Sequence, residues 1–272
     1  MPKSSPLART TRALLPALIL LVTSPAAARL RHRVPAFEPT DLDLESPLTL
    51  EFGLQFGAVF RDGEPNTRLF VPDFELDLGL TDRVELDVDG GLSFDQENGK
   101  FTLAGDNLWT STKLGFIAKK DPLDPERVWA LGAQLGPRLP TAPNSVGTGF
   151  GAVLLGARMA APWHVIVNFG SILEPRDRTV RERSVALLGG IDLDYDLDAA
   201  NRWSLLVETG AGYSLGPDPN DVHATLGLDL AATDWLDLSL SGFYGFLPGG
   251  DRYGVFFGVT PKVAQASTQP DG

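Results

Sequence analysis

The chain has 272 residues, with 35 Asp and Glu against 23 Lys and Arg, and no cysteine. Its formal charge of −12 excludes nucleic acid as a partner, and the missing thiols exclude disulfides, Cys-ligated zinc and a cysteine nucleophile. After the first thirty residues no stretch approaches the ~20 consecutive apolar residues of a membrane helix, so any membrane crossing must be made by strands.

The first element is an export signal. Lys3, Arg9 and Arg12 form a basic start, ALLPALILLV is an apolar run, and SPAAA offers small residues for cleavage. Residues 1–28 therefore read as a bacterial signal peptide, whose removal leaves 20 bases against the 35 acids. Residues 29–47, RLRHRVPAFEPTDLDLESP, are proline-rich and without period, and read as a flexible periplasmic lead-in.

From Leu48 the hydropathy alternates with period two almost to the end. The segments are 48–60, 69–80, 83–94, 108–118, 127–139, 149–160, 162–173, 184–196, 202–214, 222–232, 235–247 and 251–260. Most exceed the ~5–6 residues of a soluble strand and match the ~9–11 of a tilted transmembrane strand. Links such as RDGEPNT, DQENGKFTLAGDN and EPRDRTVRER alternate with tight ones such as TD, AP and DAAN. Short turns on one side and long loops on the other predict an all-β fold, a transmembrane antiparallel up-and-down β-barrel of about 12 strands spanning 48–261, with 262–272 as a tail.

Aromatic residues near the segment ends (Phe60, Trp109, Trp129, Trp163, Trp203, Trp235, Tyr244, Phe246 and Tyr253) are expected to form girdles at the two membrane interfaces. A secreted β-sandwich alternates in the same way, and the long segments and regular loop asymmetry argue against it.

Parity then assigns an inner face. Its candidate acids are Glu51, Asp73, Glu75, Asp77, Glu85, Asp87, Asp89, Asp192, Asp194, Glu208, Asp229 and Asp237; its bases are Arg83, Lys113, Arg138, Arg158 and Arg252; His164 and His223 join them. Gln55, Gln134 and Asn168 share that face. A three-residue loop at 81–83 with Leu80 opposite Val84 sets Asp77 against Asp87 and Glu75 against Asp89. Opposed like charges destabilise a ladder and require water, counter-ions or bases reaching across. A hydrated wall with salt bridges, a constriction selecting cations or hydroxylated solutes, and a calcium site are three uses for such acids. No ordered calcium loop accompanies them, so no metal or cofactor is assigned. The two histidines fall at opposite ends of the strands with no nucleophile beside either, which leaves no catalytic residues and predicts that the chain is not an enzyme.

Two stretches carry a family resemblance. LDLGLTDRVELDVDG followed by DNLWTSTKLGF, and LGAQLGPRLPTAPNSVGTGFGAVLLGA with its Leu139-Pro140-Thr141, resemble outer-membrane proteins of the MetA-pathway of phenol degradation. The resemblance implies a monomeric outer-membrane barrel that admits small, partly apolar or aromatic solutes, and it carries no catalytic residues. Where such barrels end on an aromatic read by the outer-membrane assembly machinery, this chain runs on past Pro261, leaving Phe256 and Phe257 as an internal signal.

The leading expectation is a passive channel or uptake pore of the bacterial outer membrane, with outer-membrane lipid, lipopolysaccharide and a small-molecule solute as its partners. The alternatives are a non-conducting structural or surface-binding barrel and a soluble secreted all-β protein. Eight-stranded barrels are filled and those of sixteen or more are open, so about twelve strands predict a narrow, plugged or gated lumen. The stretches 95–107 and 174–183 are expected to fold inward and close it, unless the basic run RDRTVRER contacts lipopolysaccharide outside.

Overall fold

The computed structural model describes residues 47–61, 67–97, 99–120, 128–177, 184–198, 200, 202–215, 220–247 and 251–264. The expected signal peptide (1–28), nearly all of the expected lead-in (29–47) and most of the RDRTVRER run lie outside these residues.

Alternation over long segments yields strands because the extended backbone sends successive side chains to opposite faces. Among the described residues fifteen strands result: β1 (Thr49–Arg61), β2 (Thr67–Thr81), β3 (Val84–Glu97), β4 (Lys100–Gly105), β5 (Leu108–Lys120), β6 (Val128–Leu139), β7 (Ser145–Val146), β8 (Gly149–Ala160), β9 (Trp163–Leu173), β10 (Arg176–Asp177), β11 (Val185–Asp196), β12 (Trp203–Ser214), β13 (Asp221–Thr233), β14 (Leu236–Gly245) and β15 (Asp251–Ala264). Twelve of them form one closed antiparallel ring, β1-β2-β3-β5-β6-β8-β9-β11-β12-β13-β14-β15, sealed where β15 pairs with β1. Closure gives each of these twelve strands a partner on both sides, as a hydrocarbon surround demands. A twelve-residue strand is about 40 Å long and, tilted ~40°, rises about 30 Å, the thickness of a bilayer core.

Burial is turned inside out relative to a soluble protein. Among the described residues, buried polar and charged ones outnumber buried apolar ones by 21 to 12. Phe169, Leu154, Leu226, Leu240 and Val255 meanwhile stand exposed on the outer wall. A β-sandwich buries its apolar face, so this distribution decides for lipid outside.

The two Thr-Asp turns share one device. Thr81 Oγ1 accepts from Arg83 N at 3.2 Å, and Thr233 Oγ1 accepts from Trp235 N at 3.3 Å. In both the ladder slips by one residue just before the turn, so Thr81 rather than Leu80 pairs with Val84. The expected opposition of Asp77 to Asp87 and Glu75 to Asp89 occurs below that slip.

Three departures alter what faces inward. A bulge at Val71-Pro72, where proline cannot donate to the ladder, places Phe70 and Asp73 on the same face although they are three residues apart. The 95–107 stretch does not fold inward: β4 pairs with Leu92–Glu97 and prolongs the wall as a hairpin. The last strand runs beyond 261 to Ala264, because Lys262 pairs with Glu51.

Candidate lumen site

The polar interior is built by neighbouring strands at one level. Glu51 on β1 is the ladder partner of Asp77 on β2, and Asp77 of Asp87 on β3. All three are buried, as is Glu85, two residues from Asp87 on the same face. Carboxylate oxygens of Asp77, Glu85 and Asp87 lie within 4.8 Å of one another. Two lysines offset this charge: Lys113 Nζ stands 2.8 Å from Glu85 Oε1, and Lys262 Nζ stands 2.6 Å from Glu51 Oε2 and 3.7 Å from Asp237. Ser111 Oγ donates to Asp87 Oδ2 at 3.0 Å, and Gln134 Nε2 donates to the same oxygen at 2.8 Å. Asp77, Glu85 and Asp87 are the described residues whose spacing suits a hard cation, and Lys113 already holds one side of them.

Other expected residues lie elsewhere on the inner wall. Glu75 and Asp89 face each other one step nearer the long-loop end, half-buried. Arg138 pairs with Glu174 at 2.9 Å near that end. Glu208 and His223 adjoin across β12 and β13: His223 Nε2 is 4.0 Å from Glu208 Oε1, and its Nδ1 is 2.5 Å from Asp221 Oδ2. Asp229 lies opposite Ser204 and Ser239. His164 sits at the short-turn end, 3.6 Å from Asp196. Arg252, at the opposite end, donates to the Gly245 and Leu247 carbonyls.

Arg158 is the exception. It points outward and is exposed, because Val153, Leu155 and Ala157 take the inner positions of β8. Its guanidinium lies 5.0 Å from the ring centroid of Trp129, its ladder partner on the outer wall.

Trp109 reverses the girdle expectation. It is 1% exposed and points inward, with Nε1 donating to the Gly136 carbonyl at 3.1 Å. Glycine at 151 makes the room, since a Cβ there would stand 2.9 Å from two indole carbons. Lys113 shares Trp109's parity on β5, so this orientation was readable in the sequence.

Trp109 packs with Val153, Leu155, Ala157 and Ile166 into an apolar patch on the inner wall. Val59, Phe243 and Phe256, joined by Phe70, form a second patch. The first is centred on β8 and β9 and the second on β15 and β1, half a turn apart in the ring. Above the bulge in β2, Arg68 also faces inward and grips Asp95 bidentately at 2.6 and 3.0 Å. Parity counted without the bulge hides both Arg68 and Phe70.

These features define the chain's class: a twelve-stranded transmembrane β-barrel with a polar, partly apolar interior. No family model and no curated protein matches the chain. Among solved structures it is similar to the COG4313 outer membrane channel from Pseudomonas putida F1, with TM-score 0.57, 14% identity and coverage of 83% of this chain and 99% of that one. It is also similar to the translocator domain of the autotransporter NalP from Neisseria meningitidis, with TM-score 0.50, 12% identity and coverage of 80% and 88%. Likeness at such identities shows the outer-membrane barrel fold.

The prediction that the chain is not an enzyme is corrected here. The similar structures include OmpT, an outer-membrane protein of Vibrio cholerae, with TM-score 0.38, 10% identity and coverage of 80% of this chain and 99% of that one. Likeness in fold alone speaks neither for nor against catalysis, and the exclusion is withdrawn.

Proposed function

We propose that the chain is an outer-membrane barrel, exported by residues 1–28 and followed by the lead-in 29–47, that passes small, partly apolar solutes passively through a narrow interior. One observation carries this reading: two apolar patches containing Trp109, Phe70, Phe243 and Phe256 oppose each other across a ring whose remaining inner wall is largely polar and charged. The carboxylates match a hydrated cation and the aromatic rings match a ring-bearing solute, which would reach either only as the close-packed lining gives way. The similarity in fold to an outer membrane channel supports the reading, as does the resemblance to the MetA-pathway family. The partners belonging to it are outer-membrane lipid, lipopolysaccharide at the long-loop end and the assembly machinery.

Planar-bilayer recording of the detergent-purified, folded chain tests it. Discrete conductance steps with cation preference, reduced by a small aromatic solute, are expected. Silence from protein shown to be folded by heat-modifiable migration would overturn conduction. It would favour the second reading, a non-conducting structural or surface-binding barrel, to which the shielding of Glu51, Val59, Trp109, Leu155 and Glu208 (each 0–1% exposed) also lends weight.

A further inference from the structure

Four tryptophans mark one rim of the barrel. Trp129, Trp163 and Trp203 lie at or near the starts of β6, β9 and β12, and Trp235 immediately precedes β14. All four strands begin at the short-turn end, and all four rings are exposed. Exposed indoles at a common level set the boundary between hydrocarbon and headgroups.

Arg158 lies at that level on the lipid-facing wall. It is the ladder partner of Trp129 on one side and of Val165 on the other, and the neighbouring strand begins with Trp163 opposite Ala160. Its outward neighbours are therefore Trp129, Val165, Gly156 and Ala160, none of which is an acid. No carboxylate pairs with it among the described residues. A permanently charged guanidinium thus stands on a wall whose next outward positions, Leu154 and Ala152, are apolar.

At the midplane such a group is costly and near the interface it is almost free, so its depth makes it tolerable without making it useful. The Trp129 ring, 5.0 Å away, supplies a face against which the guanidinium rests, and among the described residues no acceptor takes its donors, which form a fork matched to two oxygens of one phosphate.

We propose that Arg158 and Trp129 form an outward-facing phosphate clamp for an anionic phospholipid of the leaflet at the short-turn rim. The guanidinium takes two phosphate oxygens, and the exposed Trp129 and Trp163 rings flank the glycerol region. The site depends on the barrel standing in a membrane and not on conduction, so a silent barrel would leave it intact.

The test uses the mature, folded chain in mixed micelles of phosphatidylglycerol and phosphatidylcholine, with lipid retention read by native mass spectrometry. The wild type should retain phosphatidylglycerol preferentially. R158Q should lower that retention about tenfold, the equivalent of one charge-assisted hydrogen bond, with phosphatidylcholine unaffected. R158K keeps the charge and loses the fork, and W129L keeps the charge and loses the ring; each should fall between the two. Heat-modifiable migration establishes that each variant is folded, and R158K carries the test if R158Q does not assemble. Undiminished retention in the folded Arg158 variants would overturn the proposal. Displacement of the lipid by millimolar inorganic phosphate would also overturn it, by assigning the clamp to a soluble anion.

Discussion

Lys113 is the most informative residue to change. It is buried on β5 with its ammonium 2.8 Å from Glu85, within a ring of carboxylates that includes Asp77 and Asp87. At an effective dielectric constant of ~20, that single contact is worth about 6 kcal/mol of attraction, part of which offsets the desolvation of both groups. Lys113→Met removes the cation and leaves Glu85 against two other acids, so the expected loss is about 3–5 kcal/mol of folding stability. Glu85→Gln alone should cost somewhat less, because it removes one of the crowded charges together with the partner. The double variant should be more stable than the sum of the single effects by at least ~2 kcal/mol, since neither charge remains to be stranded. Urea unfolding in detergent, followed by gel mobility of unheated samples, gives all four corners of the cycle. Additive losses would show that Lys113 and Glu85 do not stabilise each other, and the account of a band held by lysines would fail.

Other changes probe the remaining features. Asp77→Asn combined with Asp87→Asn should reduce cation preference in bilayer recordings, and unchanged selectivity would remove these acids from the solute path. Gly151→Ala drives a methyl to 2.9 Å from the Trp109 indole, so it should cost about 1–3 kcal/mol and alter the near-ultraviolet circular dichroism; a silent variant would mean the indole moves freely. Thr81→Val and Thr233→Val each remove one turn hydrogen bond and should each cost about 0.5–1.5 kcal/mol in the same unfolding assay. A large difference between the two would contradict their shared geometry.

Much of the wall is legible in the sequence because lipid outside and water inside impose opposite demands on alternate residues. In β2 and β3 below the bulge, Leu76, Leu78 and Leu86 alternate with Asp77, Glu85 and Asp87, so strand, face and register follow from the pattern. β8 gives no such contrast. Ala152 and Leu154 face out while Val153 and Leu155 face in, so period two has nothing to distinguish them. Parity carried round from neighbouring strands then assigns Arg158 inward without a contrast on β8 to check it, although a long side chain near a strand end can reach the headgroups from the lipid side. Trp109 misleads for the converse reason: a general preference of aromatics for strand ends outweighs the parity that Lys113 establishes on the same strand. The 95–107 stretch reads as a loop because its strand-forming residues are interrupted by polar ones, yet Phe94 and Leu103 face each other across a ladder.

The irregularity at Val71-Pro72 has a bearing on how this wall can change length. Between Phe70 and Asp73 the chain takes three steps on β2 while β1 takes two, from Gly57 to Gln55. Losing one residue there would leave a regular ladder with Phe70, Arg68 and Asp73 still turned inward. Between this joint and the slip at Leu80 beside the turn, the same loss would send every side chain on one side of it to the opposite medium, placing carboxylates in lipid. Within the body of the strand, Val71-Pro72 is therefore the joint at which a one-residue deletion is neutral to the faces. Homologous chains that differ by one residue at this joint would share their lining, and aligning them by position alone would wrongly interchange the wet and greasy sides.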